Sequence, residues 1–139
     1  MQKQPSSYSS VSPRAGPQPR ILVVDDEAAV RRYVRRVLEA EGYAVGAAGD
    51  GIEALEFVRS TAEGWDLLVS DIVMPRCNGI ELQQTLSGLA SALPVILMSG
   101  YATSQLTEIG IAAPCGVLVK PFKAEELLDE VRRCLPVGP

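Results

Sequence analysis

Histidine is absent from this 139-residue sequence. Without an imidazole, the chain cannot build a Ser-His-Asp or Cys-His catalytic pair, and most zinc sites are excluded as well. The chain also cannot carry a phosphohistidine of its own. It contains neither a Walker A motif nor a dinucleotide glycine fingerprint, so no familiar nucleotide site is indicated.

Long apolar runs are missing as well. No stretch approaches the about 20 residues that a spanning helix needs, and the N-terminus lacks the apolar core of a signal peptide. The net charge of −4 gives no sign of general affinity for nucleic acid or for an anionic membrane. We therefore expect a cytoplasmic protein that inserts into no membrane and makes no nucleic-acid contact.

Cysteine is sparse, with only Cys77, Cys115 and Cys134, and no CxxC pair is present. An odd number without such a pair is most simply interpreted as reduced thiols, two of them in or near core elements. We interpret Cys77, which lies shortly after Asp71, as an incidental loop thiol rather than a redox centre.

What the sequence does contain is a globular composition, 47% apolar and 22% charged, in which short apolar runs end in polar residues. Such runs, partly β-branched and bounded by polar or turn residues, predict buried strands. If the strands are parallel, their carboxyl ends lie at one edge of one sheet, where open α/β sheets bind ligands. The polar residues at that edge are Asp25, Asp26, Asp71, Ser99 and Lys120.

Helical spacing alternates with these strands. One predicted helical face carries Val30, Tyr33, Val34, Val37 and Leu38. Gly42 is a fitting stop for that helix. Its other face carries Arg31, Arg32, Arg35 and Arg36. We interpret this arginine face as solvated rather than as a docking surface. Capping-box spacing, from Asp50 to Glu53 and from Asn78 to Glu81, predicts two further helix starts.

Five strands alternating with helices predict an α/β fold, a doubly wound five-stranded parallel sheet with right-handed crossovers. The second strand is the weak run at 43–48, and the segment 101–114 is a poor helix because it contains Thr, Gly and Pro. In the flavodoxin-like order 2-1-3-4-5, the switch point lies between the first and third strands. That order would place Asp25, Asp26 and Asp71 side by side, although the spacing alone does not determine it.

Three carboxylates at one edge repel each other unless cations compensate them. Lys120 supplies one positive charge, and Mg²⁺ would supply two more, because it takes oxygen ligands and shares carboxylates with a phosphate. Asp71 could then attack phosphorus as a carboxylate nucleophile. The metal, Lys120 and the Ser99 hydroxyl would neutralise the phosphoryl oxygens. We interpret this edge as a phosphoryl-accepting site.

Each of these residues also has a plain structural interpretation. Asp25 or Asp26 would cap a helix, Ser99 would be a turn residue and Lys120 a surface charge. Their joint placement after four separate apolar runs is harder to explain in that way, which favours the functional interpretation.

A series of short motifs extends across the chain: LVVDDE at 22–27, EGY at 41–43, DGIEAL at 50–55, SDIVMP at 70–75, NGIEL at 78–82, LMSGYA at 97–102 and LVKPF at 118–122. Each motif alone is weak, but the set is specific. Over residues 20–135 the sequence resembles the receiver domain of two-component response regulators. The LMSGYA stretch is similar to receivers attached to hybrid sensor kinases.

By that resemblance, Asp71 is the phosphoacceptor, Ser99 the switch hydroxyl and Lys120 the phosphate-binding lysine. The resemblance implies that the chain is a signalling module rather than an enzyme, with autocatalytic phosphoryl transfer and some autodephosphorylation. Its donor would be a phosphohistidine on a sensor histidine kinase or a histidine phosphotransfer domain. Phosphorylation would switch a surface that meets an unknown downstream protein.

The same resemblance implies a Mg²⁺ site. Asp26, Asp71 and the backbone carbonyl of Val73 would bind the metal directly, and Asp25 would help through water.

In this interpretation, residues 20–136 form the receiver domain and 137–139 the C-terminal end. Residues 1–19, rich in Ser, Pro and Gln, are expected to be a disordered tail or linker. Whether the chain is a stand-alone regulator or part of a hybrid kinase stays open.

Val117 departs from the family pattern, because receivers usually carry Tyr or Phe three residues before the lysine. Tyr101 is the nearest aromatic alternative, either as a switch residue or as a plain surface or packing residue. Two other functions also stay open. One is an interaction domain that is not phosphorylated, which Asp71 and Lys120 argue against. The other is a metal-dependent phosphohydrolase, whose usual second Asp is replaced here by Val73.

Overall fold

The computed structural model describes residues 18–60, 64–72, 93–100 and 114–135. The strands and helices in these ranges are, in chain order, β1 (Arg20–Val24), α1 (Ala28–Ala40), β2 (Ala44–Ala48), α2 (Gly51–Ser60), β3 (Leu67–Asp71), β4 (Val95–Ser99), β5 (Gly116–Val119) and α3 (Ala124–Cys134). The N-terminal segment 1–17, the helix start predicted between Asn78 and Glu81 and the weak helix predicted within 101–113 lie outside the described residues.

The five strands form one parallel sheet in the order β2-β1-β3-β4-β5, as predicted. The register places Val24 opposite Ser70, and Asp71 opposite Met98. Ser99 in turn lies opposite Val119. The carboxyl ends of β1, β3, β4 and β5 therefore meet at one edge, because parallel strands with short offsets end together.

Both faces of the sheet are buried, which explains why its central strands are continuously apolar. One face packs Leu22, Val24, Leu68 and Leu97 against Ala54 and Leu55 of α2. On the other face, Ile21, Val23, Leu67 and Val69 pack against Val34 and Leu38 of α1 and Leu127 and Val131 of α3. This two-sided packing holds the strand ends rigidly beneath the candidate site.

Helix α1 buries Val34 and Leu38 as the spacing predicted, but Tyr33 from the same predicted face is 41% exposed. The helix ends at Ala40, and Gly42 follows with φ of 94°, a left-handed conformation that suits glycine.

The capping box predicted for α2 forms in a shifted version. The Glu53 N–H donates to Asp50 Oδ1 at 2.8 Å, while the Glu53 carboxylate accepts from the Gly49 N–H at 2.6 Å.

The expectation of reduced thiols is wrong for two of the three cysteines. Cys115 and Cys134 form a disulfide, with their Cα atoms 5.8 Å apart and a sequence separation of 19. Cys134 ends α3 and Cys115 precedes β5, so the contact exists only because α3 packs back along the sheet. The Arg133 Nη2 donates to the Cys115 carbonyl at 2.7 Å and joins the same two elements. Cys77 lies outside the described residues.

No helix within the described ranges is both long enough and apolar enough to cross a membrane.

Candidate functional site

Three carboxylates meet at the carboxyl edge of the sheet. One oxygen each from Asp25, Asp26 and Asp71 lies within 4.8 Å of the others. Asp25 follows β1 and has no exposed surface, Asp71 ends β3 and is 8% exposed, and Asp26 faces solvent. The structure therefore brings together the acidic residues that the strand ends predicted.

Asp25 is held at each of its polar groups. Its Oδ1 accepts from the Glu27 N–H at 2.9 Å, and its Oδ2 accepts from the Lys120 Nζ at 2.9 Å. Its own N–H donates to the Ala48 carbonyl at 3.1 Å. A buried carboxylate needs such partners, since an unpaired charge in this position would be strongly destabilising.

Lys120 lies between two of the acids. Its Nζ is 2.9 Å from Asp25 Oδ2 and 3.4 Å from Asp71 Oδ2. Burial alone would lower the pKa of Lys120, but the hydrogen bond to Asp25 and the charges of Asp25 and Asp71 outweigh it and raise the pKa above its usual 10.5. Lys120 is therefore an ammonium throughout the neutral range and compensates part of the acidic charge.

Ser99 ends β4 and is 1% exposed. Its carbonyl accepts from the Lys120 N–H at 2.7 Å, which ties the end of β4 to the residue after β5. The Ile72 N–H similarly donates to the Met98 carbonyl at 3.1 Å. These backbone bonds keep Ser99 and Lys120 at the same edge as Asp71.

The donor set fits Mg²⁺. The ion prefers oxygen ligands at about 2.0–2.1 Å in an octahedron and commonly uses only one or two carboxylates. Carboxylate oxygens within 4.8 Å of one another can share such an ion. Asp26 is open to solvent, so water ligands have access. Val73, whose carbonyl the resemblance adds to the set, lies outside the described residues.

Sequence reasoning missed Arg31, which was assigned to a solvated arginine face. Its Nη1 donates to the backbone carbonyl of Asp25 at 2.7 Å, and its side chain is partly buried. The only signal in the sequence is position, because Arg31 lies one helical turn after the start of α1 and can reach back to the end of β1.

An apolar groove of about 490 Å³ opens beside the acidic cluster. It is lined by Ala29, Val30, Tyr33, Lys120, Pro121 and Phe122. The rings of Tyr33 and Phe122 lie with their centroids 6.4 Å apart and are tilted by 48° relative to each other. Lys120 lines the groove and also contacts Asp25 and Asp71 of the acidic cluster. A molecule bound in the groove would therefore lie close to Asp71.

The sheet and its carboxyl edge define the class of doubly wound α/β domains that bind their ligand at the ends of the parallel strands. The family model for the response regulator receiver domain matches residues 21–132. The chain therefore belongs to this family and is a receiver domain of two-component signal transduction.

Relatives and solved structures agree with this assignment. Response regulator MprA of Mycobacterium tuberculosis strain H37Rv is 41% identical over 117 residues, which are 84% of this chain and 50% of that protein. The chain thus spans about half the length of the curated relatives it matches.

Two solved structures illustrate the fold. Chemotaxis response regulator CheY4 of Vibrio cholerae superposes with a TM-score of 0.77 at 29% identity, over 86% of this chain and all of that one. Response regulator TrrA of Thermotoga maritima, solved in complex with Mg²⁺–BeF, has a TM-score of 0.70 at 32% identity, over 84% of this chain and 98% of that one.

Proposed function

We propose that Asp71 accepts a phosphoryl group, in a Mg²⁺-dependent reaction, from a phosphohistidine on a sensor histidine kinase or a histidine phosphotransfer domain. The observation that carries the proposal is the position of Asp71. Its carboxylate lies 3.4 Å from the Lys120 ammonium and within metal-sharing distance of Asp25 and Asp26. The complex of the relative TrrA with Mg²⁺–BeF supports the same chemistry.

The transfer is a displacement at phosphorus. A carboxylate oxygen of Asp71 forms the new O–P bond as the N–P bond of the donor histidine breaks, and the released imidazole takes up a proton. When bound by Asp26, Asp71 and the Val73 carbonyl, with Asp25 helping through water, Mg²⁺ would supply positive charge against the phosphoryl oxygens.

Lys120 and Ser99 would complete this charge stabilisation. The Lys120 ammonium has three donors and uses one on Asp25, so it can turn another towards a phosphoryl oxygen on Asp71. Ser99 ends the neighbouring strand, and its hydroxyl would donate to the same group. A small donor such as acetyl phosphate would also phosphorylate Asp71. Slow autodephosphorylation would then restore the free Asp71 carboxylate.

The apolar groove is where we propose that the donor docks. It adjoins Lys120, and two exposed arginines of α1, Arg32 and Arg36, lie on the helix that forms one of its walls. An apolar helix that carries the phosphohistidine and flanking acidic residues matches this chemistry. Because such a donor is made from ATP, we also propose a cytoplasmic location.

We propose that a downstream protein meets a surface that changes when Asp71 is phosphorylated. A phosphohydrolase is disfavoured, because Val73 stands where that chemistry usually needs a second acid.

Intact mass after treatment with acetyl phosphate and Mg²⁺ tests the chemistry. We expect wild type to gain one phosphoryl group and Asp71→Asn to gain none. Asp66→Asn is the matched control, because Asp66 is exposed and precedes the same strand, and its carboxylate accepts only from the Arg20 N–H within the described part of the chain. Equal labelling of wild type and Asp71→Asn would refute the proposal.

The docking proposal needs a protein donor. Tyr33→Ala should slow labelling from a phosphorylated histidine phosphotransfer domain but leave labelling from acetyl phosphate unchanged. Ile52→Ala is the control, because Ile52 is similarly exposed but lies on α2, on the other face of the sheet. If Tyr33→Ala and Ile52→Ala changed the rate of labelling from the phosphotransfer domain equally, docking in the groove would be contradicted.

A further inference from the structure

Arg31 differs from its neighbouring arginines on α1 in the position of its guanidinium. Its Nη1 donates to the Asp25 carbonyl at 2.7 Å, whereas Arg32 is exposed. An added Cβ on Gly49, the residue after β2, would lie 3.4 Å from the same Nη1. Arg31 therefore joins the first turn of α1 to the end of β1, and its guanidinium lies near the end of β2.

The two adjacent acids are held in different ways. The Asp25 carboxylate is bound at both oxygens, by the Glu27 N–H and by Lys120. The Asp26 side chain is exposed, and it makes no hydrogen bond or ion pair with any other residue that the structure describes. The position of the Asp26 carboxylate therefore depends on the backbone that carries it.

That backbone includes the carbonyl held by Arg31. The Asp25 carbonyl and the Asp26 N–H belong to one planar peptide unit, which ends at the Asp26 Cα. Holding the carbonyl sets the plane of this unit and hence the position of the Asp26 Cα and of the N–Cα bond from which the Asp26 side chain branches. A hydrogen bond from a charged donor is strong enough to do so.

We propose that Arg31 is a positioning residue for the divalent cation site and acts through this peptide unit on Asp26. The inference rests on the proposed function, because the cation is the Mg²⁺ of the phosphoryl transfer. Some groups do not touch a metal but hydrogen-bond to the residues that ligate it. Removing such a group commonly weakens metal binding by about tenfold or more.

Electrostatics and positioning predict opposite signs for the loss of Arg31. Removing a positive charge near an acidic cluster raises the attraction for a cation, so a purely electrostatic role would make Mg²⁺ bind more tightly. Loss of positioning makes it bind more weakly, because part of the binding free energy must then order Asp26.

Calorimetric titration of the full chain with MgCl₂ alone measures this directly, for wild type, Arg31→Ala, Arg31→Lys and Arg32→Ala. We expect Arg31→Ala to bind Mg²⁺ roughly tenfold more weakly. Arg31→Lys should lie in between, because an ammonium can donate to the same carbonyl. Arg32→Ala removes the same charge from an exposed site and should bind at least as tightly as wild type.

Labelling by acetyl phosphate at increasing Mg²⁺ supplies a second readout. Arg31→Ala should need more Mg²⁺ for half-maximal labelling but approach the wild-type rate at saturation. A merely structural role would lower the rate at every Mg²⁺ concentration.

Unchanged or tighter Mg²⁺ binding by Arg31→Ala would overturn the inference, as would an Arg31→Lys variant as weak as Arg31→Ala. Wild type that binds Mg²⁺ but takes no phosphoryl group would instead refute the proposed function and leave the role of Arg31 standing.

Discussion

Lys120 donates a hydrogen bond to Asp25 at 2.9 Å, although the two residues are 95 positions apart in sequence. The side chain of Asp25 is fully buried, and 22% of the Lys120 side chain is exposed. The pair fastens the residue after β5 to the residue after β1, across the width of the acidic cluster. The positive charge that we propose for phosphoryl transfer is therefore also a structural component of the domain.

Replacement of Lys120 should destabilise the domain. Lys120→Gln leaves the buried Asp25 carboxylate without its counter-charge, and breaking such a pair costs about 3 kcal/mol or more. Chemical denaturation without Mg²⁺ measures the loss. Lys123→Gln is the matched control, because Lys123 is exposed and lies three residues further along the chain.

The same comparison has a defined pH dependence. Because the folded-state pKa of Lys120 is raised above 10.5, the charge contributes its full stability below pH 10.5 and loses it as the pH rises through the higher folded value. The difference in the free energy of unfolding between wild type and Lys120→Gln should be constant around neutral pH and should become smaller in strong alkali. A difference that narrows on going from neutral to mildly acidic pH would contradict this account.

Mg²⁺ should stabilise the domain, because it binds the folded state in preference to the unfolded chain. At about 100 times its dissociation constant, a ligand adds about 2.7 kcal/mol to the free energy of unfolding. We expect this gain in wild type and Asp66→Asn, and a much smaller gain in Asp26→Asn and Asp71→Asn. Thermal unfolding in MgCl₂, compared with NaCl of equal ionic strength, measures it. An equal gain in all four proteins would place the ion elsewhere.

The Cys115–Cys134 disulfide should stabilise the domain. Closing a loop of this length restricts the unfolded chain by about 3 kcal/mol. Reduction of the disulfide should lower the stability of wild type towards that of Cys134→Ser. The same treatment should leave the stability of Cys134→Ser unchanged. Alkylation after denaturation should label only Cys77 before reduction and all three cysteines after it. Three labels on the unreduced protein would show that the bond does not form.

The switch should not depend on the residue in the usual aromatic position. Val117 is partly buried and lies opposite Leu97 in the sheet. It packs against the apolar cluster that includes Ala54 and Leu55 of α2. With beryllofluoride, amide shifts should change mainly at residues 71–79 and 99–114, and Val117→Ala should leave these changes largely intact. Ser99→Ala should diminish them, because it removes the hydroxyl that would meet the phosphoryl mimic. A response abolished by Val117→Ala would show that this account is wrong.

The strands and their polar ends were predictable because a strand buried on both faces is a continuous apolar run in the sequence. β3 and β4 are apolar runs that stop at Asp71 and Ser99, and each run is short enough to be recognised without its neighbours. The strand order and the meeting of Asp25 with Asp71 needed either the resemblance or the structure. Nothing within one run says which strand lies beside it.

The sequence by itself determined the elements, the candidate acids and the family. Only the tertiary structure decided that Arg31 holds the Asp25 carbonyl, that Glu53 binds Gly49 and that Cys115 joins Cys134. Hydrophobic periodicity records how deeply each residue is buried along its own helix or strand. A guanidinium, a carboxylate or a thiol finds its partner through the packing of separate elements, and that packing follows from the topology of the whole sheet.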